Sequence, residues 1–107
     1  MILNIIMFKN LSINAFTTPN FTDVDPEKAA KGLERALIAN FSSDQKLVMS
    51  YENLDMYFMG TFDDETGVID QITPKFLFSP RQLILKLISE NVVSKTTEKP
   101  ENAVEVN

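Results

Sequence analysis

The sequence predicts an α+β fold: a small antiparallel sheet, built from an N-terminal strand and a central hairpin, packed against two helices and followed by a disordered C-terminal tail. Three observations predict it. Leu54 to Ile72 alternates along a strand, turns through acids and a glycine, and leaves as a second apolar strand. Two other stretches repeat apolar residues at helical spacing behind capping residues. The chain opens on strand-like segments, Ile2 to Phe8 and Leu11 to Phe16. At 107 residues it has the size of one domain with a single modest core. We place that domain at residues 1–91 and the tail at 92–107.

The two N-terminal segments read as one long strand, with a break at Lys9-Asn10 as the alternative. Met7 is a possible second start, which would make the first six residues a reading-frame extension; the other reading is a strand that begins early. MILNIIMF is too short to span a bilayer. It also lacks the basic start and the cleavage site of a signal peptide. Thr17 to Asp25 reads as loop, with Pro19 and Asn20 as breakers.

Asp25 and Pro26 suit an N-cap and a first helical position. Ala29, Ala30, Leu33, Ala36, Leu37 and Phe41 continue at helical spacing, so a helix should run from about Pro26 to Asn40. Gly32 among these alanines suggests close packing across the hairpin. Lys28, Lys31 and Arg35 form one outward stripe. It reads as a solvated helix face or as a basic strip for backbone phosphates. Ser42 to Lys46 is a loop, and Leu47 to Met49 is either a short strand or a packed loop segment.

In the hairpin, Leu54, Met56, Phe58, Gly60 and Phe62 share one face by strict alternation, and Asp55, Tyr57, Met59, Thr61 and Asp63 the other. Gly60 points to a bulge or to close approach by a helix. Gly67 supplies the positive φ of the turn, and Asp63 and Asp64 suit its start. Asp63, Asp64 and Glu65 lack the spacing of a calcium loop, so the cluster reads as a solvated acidic turn, with a weak cation site as the minor alternative.

Thr73-Pro74 should end the second strand. Ser79, Pro80 and Gln82 then start a second helix, Pro80 to about Asn91, with Phe78 and Leu83 placed for a hydrophobic staple. Leu83, Ile84, Leu87 and Ile88 form its inner face. Leu85 widens that face, which suggests a homodimer contact or extra burial under the N-terminal residues.

Cysteine and histidine are both absent, which excludes disulfides, thiolate zinc sites, cysteine nucleophiles and Ser-His-Asp machinery. We therefore expect no catalytic residues, no metal and no cofactor. A carboxylate pair such as Asp55 with Asp70 is what acid–base catalysis would have to draw on. The net charge of −5 opposes long-range attraction to DNA and predicts weak or absent single-strand binding at physiological salt. Lys28, Lys31, Arg35 and Tyr57 are the set that could contact nucleic acid, by charge and by stacking. Asp63, Asp64, Glu65 and Leu85 are the candidate partner-binding residues. With Asp70, the acids could mimic nucleic acid toward a basic host protein.

The run Tyr57-Phe58-Met59-Gly60-Thr61-Phe62-Asp63-Asp64-Glu65-Thr66-Gly67, set in the order strand, helix, hairpin, helix, resembles the small nonstructural protein of gokushovirus-type microviruses, the chlamydia-phage group. The family pattern, aromatic-x-x-Gly-x-Phe-Asp-x-x-Thr-Gly, is met by Tyr57, Gly60, Phe62, Asp63, Thr66 and Gly67. Leu11 to Phe16 matches its early strand and Asp25 to Ile38 its Ala-rich helix. The apolar first residues, a shorter stretch before the first helix and a longer tail depart from it. The resemblance covers about Leu11 to Glu90. It implies a nonenzymatic phage protein of the host cytoplasm, absent from the virion, that assists replication or packaging of a single-stranded DNA genome. Its partners would be the replication initiator or the single strand itself. The alternative from the residues alone is an acidic interaction module, possible as a homodimer, that modulates a host protein.

Overall fold

The computed structural model describes the backbone of residues 1–98 and the side chains of residues 1–90. The fold is α+β, as predicted. The elements are β1 (Ile2–Asn10), β2 (Ala15–Phe16), β3 (Asn20–Thr22), α1 (Pro26–Asn40), α2 (Gln45–Met49), β4 (Leu54–Asp63), β5 (Ile69–Phe78) and α3 (Pro80–Glu98). All strand pairs are antiparallel, in the order β2-β1-β4-β5, with β3 sharing the outer edge of β1.

β1 is a central strand. It pairs with β4 from Ile2↔Asp63 to Asn10↔Leu54. Ile5 and Ile6 are among the most buried residues of the chain. Residues 2–6 are therefore integral to the sheet, and a chain begun at Met7 would lack half of its central ladder. The single long N-terminal strand is corrected: the chain turns at Leu11 to Asn14, with Asn14 at φ 53°, and Ala15-Phe16 folds back on Asn10 and Lys9. Asn10 Oδ1 accepts the Ser12 N–H at 3.0 Å, a side-chain turn that competes with straight continuation. The expected loop before α1 contains β3, whose Phe21 opposes Ile5.

α1 has the expected bounds. Asp25 caps it by accepting the Glu27 and Lys28 N–H groups at 3.1 and 3.2 Å. It lies across the sheet through Ala29, Ala30 and Leu33, which meet Ile6, Phe8, Met56, Phe58 and Phe78. Gly32 does not make that approach: a Cβ there would touch nothing within 4 Å. Residues 45–49 are helical, neither strand nor loop, because Asp44 caps the Leu47 N–H at 3.1 Å. That turn drops Val48 into a second cluster with Leu37 and Ile84.

The strict alternation in β4 fails at one point. Ile6 faces Phe58 but Ile5 faces Gly60, so Met59 is an extra residue in β4. A bulge of this kind exchanges the faces beyond it. Met56 and Phe58 look toward α1, whereas Gly60 and Phe62 join Ile5 and Leu3 on the opposite face. Gly60 takes φ 129°, and a Cβ on it would collide with the Asp70 carbonyl. The close approach inferred at Gly60 is made by β5, not by a helix.

β5 does not end at Thr73-Pro74 but runs through it to Phe78. Pro74 is tolerated because β5 is an edge strand, where a missing N–H on the outer side costs the ladder nothing. Ser79 caps α3 as expected, accepting the Gln82 N–H at 3.1 Å. Phe78 and Leu83 pack on the same cluster, as the staple requires. The α3 backbone stays helical to Glu98, beyond the expected end near Asn91; no Gly or Pro interrupts it before Pro100. The expectation for 99–107 lies outside the described residues.

Candidate functional site

The helices pack on the sheet face of Ile6, Met56 and Phe78. The register fixes what lies on the other face. Lys9 pairs with Phe16 and Asp55, Met7 with Tyr57, and Tyr57 with Phe76. Beyond the bulge, Leu3 pairs with Phe62 and Phe62 with Ile69. The start of α3 meets this face at Asp55, and no described helix lies over its aromatic rings. Phe16, Tyr57 and Phe76 form a row across four strands, with ring centroids 5.6 and 5.8 Å apart and the rings nearly perpendicular. Phe16 is 39% exposed and Phe76 53%. A second pair, Phe21 and Phe62, sits farther along at 5.3 Å.

Edge-to-face contacts satisfy the ring quadrupoles and hold the row in place. They also leave ring area open to a planar ligand. Lys9 places its ammonium 5.8 Å from the Phe16 centroid and brings a cation to the row. The arrangement can stack apolar or aromatic groups.

Tyr57 lies within the aromatic row, and the basic set read from sequence is not assembled around it. Lys28, Lys31 and Arg35 belong to α1, across the sheet from Tyr57. Lys28 borders a shallow groove of about 470 Å³ between α1 and the β1–β3 edge, floored by Ile6, Phe8 and Met56. Alternation along β4 reveals Tyr57 on sequence grounds. Phe16 and Phe76 were missed because their partners are set by pairing across the chain, which no local pattern displays.

The acidic turn is exposed and largely engaged with itself. Asp63 accepts the Glu65 N–H at 2.9 Å, and this bond, with a lesser one from Thr66, holds its carboxyl below the usual range. Asp64 and Glu65 accept from the Met1 ammonium at 2.8 and 3.2 Å, which raises the amine above its ordinary value. Among the described residues no group of three or more acids is placed to hold a metal ion.

Asp55 and Asp70, the carboxylate pair considered for acid–base work, are not brought together. Asp55 lies near the start of β4 opposite Lys9, and Asp70 is against Thr61 near its far end. Asp55 is buried and accepts the Ser79 hydroxyl at 2.5 Å, with Arg81 Nε 3.9 Å away. That network ties β4 to the cap of α3. Leu85 is 58% exposed, so the N-terminal residues do not bury it. No described helix is long and apolar enough to cross a membrane. No protein-family profile, no curated protein and no solved structure matches the chain.

Proposed function

We propose that this chain is a nonenzymatic phage accessory protein of gokushovirus type, acting in the host cytoplasm and outside the virion. In this reading it assists replication or packaging of a single-stranded DNA genome, alongside the replication initiator. Its contact with DNA is weak and uses the helix-free face of the sheet. The observation that carries the reading is the exposed row Phe16, Tyr57, Phe76. Rings of this kind accept bases of any sequence, because every base has a π-face, at about 1–3 kcal/mol per stacked base.

Charge sets the strength. The chain carries −5, and Lys9 is the cation at the row. Few counterions would be released, so affinity should be low and nearly flat in salt. The alternative, an acidic mimic of nucleic acid for a basic host protein, draws less support. Asp63 is held by its own turn, and Asp64 and Glu65 by the Met1 ammonium.

Fluorescence anisotropy with a labelled oligo-thymidine tests the reading. We expect a Kd on the order of 10–100 µM at 50 mM salt, changing only a few-fold by 200 mM. Phe76→Ala and Phe16→Ala should each weaken it several-fold. Binding that is unchanged in both variants, or that is steep in salt and lost with Lys28→Ala and Lys31→Ala, would move the contact to the α1 stripe.

A further inference from the structure

The outer edge of β5 is a ten-residue strand that no described element pairs with. Exposed edges of this length are templates for another strand. We propose that β5 pairs antiparallel with β5 of a second copy about a two-fold axis between Ile72 and Thr73, joining two sheets into one. This goes beyond the DNA-contact reading and does not depend on it.

The main-chain directions come first. The Asp70 carbonyl points at β4, where it would meet a Cβ on Gly60, and Asp63 N–H donates to Val68 O at 2.9 Å. Alternation then turns the peptide groups of Ile69 and Gln71 outward. At the other end, Leu11 N–H donates to Asn53 O at 2.8 Å. Asn53, Asp55 and Tyr57 thus address β1, and Phe58 addresses β5. Phe58 pairs with Lys75, so Lys75 points inward and its neighbours Pro74 and Phe76 outward.

The register with β4 shifts between Phe58↔Lys75 and Gly60↔Gln71, so β5 breaks its alternation within residues 72–74. A two-fold axis at that break, between Ile72 and Thr73, sets Ile69 against Phe76 of the second copy, Asp70 against Lys75, and Gln71 against Pro74, with each pair on one face. Outward peptides meet outward peptides in each case where bonds are needed. Ile69 and Phe76 exchange two hydrogen bonds, and the Gln71 N–H donates to the Pro74 carbonyl. By symmetry that is about six main-chain bonds, and Pro74 withholds only one donor per strand. Faces match as well. Ile69 and Phe76 both lie on the helix-free face; Asp70 and Lys75 both lie on the face of α1, where Lys75 already meets Glu27 at 3.1 Å.

Charge selects this register over its neighbours. A slip of two residues either way sets Asp70 against Thr73 or Leu77, and Lys75 against Val68 or Ile72, so the opposite-charge pair is lost. The stretch Ile69-Asp70-Gln71-Ile72-Thr73-Pro74-Lys75-Phe76 is self-complementary when read against its own reverse. In the dimer, Ile69 of the second copy extends the Tyr57–Phe76 row.

The chain has no native cysteine, which makes cross-linking clean. Asp70 and Lys75 of the second copy form a non-hydrogen-bonded pair, with Cα atoms about 4.5 Å apart, within disulfide reach. Light scattering after size exclusion at about 100 µM should give a dimer; a monomer overturns the proposal. Oxidising a mixture of Asp70→Cys and Lys75→Cys chains should cross-link the two, at least fivefold more than either alone. Equal cross-linking of Asp70→Cys with itself overturns the register. If a cysteine variant fails to fold, the charge swap decides. Asp70→Lys and Lys75→Asp should each weaken the dimer at least tenfold, and the double variant should recover to within about threefold. A double variant no better than the singles, or a dimer abolished instead by Leu85→Glu, overturns the proposal. None of these readouts involves DNA, so their failure leaves the stacking reading untouched, and its failure leaves them.

Discussion

On one side of the sheet, Ile6, Met56 and Ala30 pack together and are buried. On the other, Phe16, Phe21 and Phe76 keep 39%, 48% and 53% of their surface in solvent. The side chains are equally apolar. What differs is the layer above them. α1 brings Ala29, Ala30 and Leu33 down on the first face, whereas on the second the start of α3 docks at Asp55 and leaves the aromatic rings open. A hydrophobic side chain contributes to folding only to the extent that something removes it from water. The two faces therefore divide the labour: the first stabilises the fold, and the second remains available for contact.

The sharpest way to break this comparison is to remove residues 1–6. That deletes Ile5, Ile6 and the ladder from Ile2↔Asp63 to Ile6↔Phe58, and both faces should collapse together. Circular dichroism should show loss of the cooperative thermal transition. Gly60→Val comes next. A Cβ at φ 129° meets the Asp70 carbonyl, and the bulge that sends Phe62 to the bare face cannot form unstrained. We expect a loss of about 2–4 kcal/mol in urea unfolding.

The faces can then be compared directly. Met56→Ala should cost about 2–5 kcal/mol, as for a buried methionine, and Phe76→Ala less than about 1 kcal/mol. Near-equal values from urea unfolding would mean that the second face is also covered. Ser79→Ala, which uncaps α3 and removes the hydroxyl that buried Asp55 accepts from, should cost about 1–2 kcal/mol.

The smallest effect is in pH. Asp63 has a lowered carboxyl pKa because it accepts the Glu65 N–H. Its contribution is present above the unfolded value of 3.8 and lost as pH falls through the lower folded value. Asp63→Asn should flatten the fall of Tm below pH 4. The Met1 amine has the opposite sign: raised above 8.0, it contributes below that pH and loses the contribution as pH climbs through the folded value.

Local signals carried a large part of this fold. Asp25-Pro26 and Ser79-Pro80 start helices where cap chemistry says they should. Asp63 to Gly67 makes the turn that its residue types demand, with Gly67 at φ 77°. Features set by distant pairing were not legible. Met59 looks like one more step of an alternating strand until Ile5 and Ile6 choose their partners. Phe16 looks like the end of a long strand until Asn10 bonds to Ser12 and the chain reverses. The basic stripe on α1 was correctly placed on a helix, yet only the layering puts it across the sheet from Tyr57.

The central position of β1 has a kinetic consequence. It is synthesised well before its partner β4, which ends at Asp63, so the strand must wait for most of the domain to be made. The β4–β5 hairpin closes a short loop and can form early, whereas docking β1 closes a long one. Folding should therefore be slow for a chain of this size, with the N-terminal strand arriving last. Until it does, the apolar segment Ile2 to Phe8 is the part of the nascent chain most in need of a chaperone.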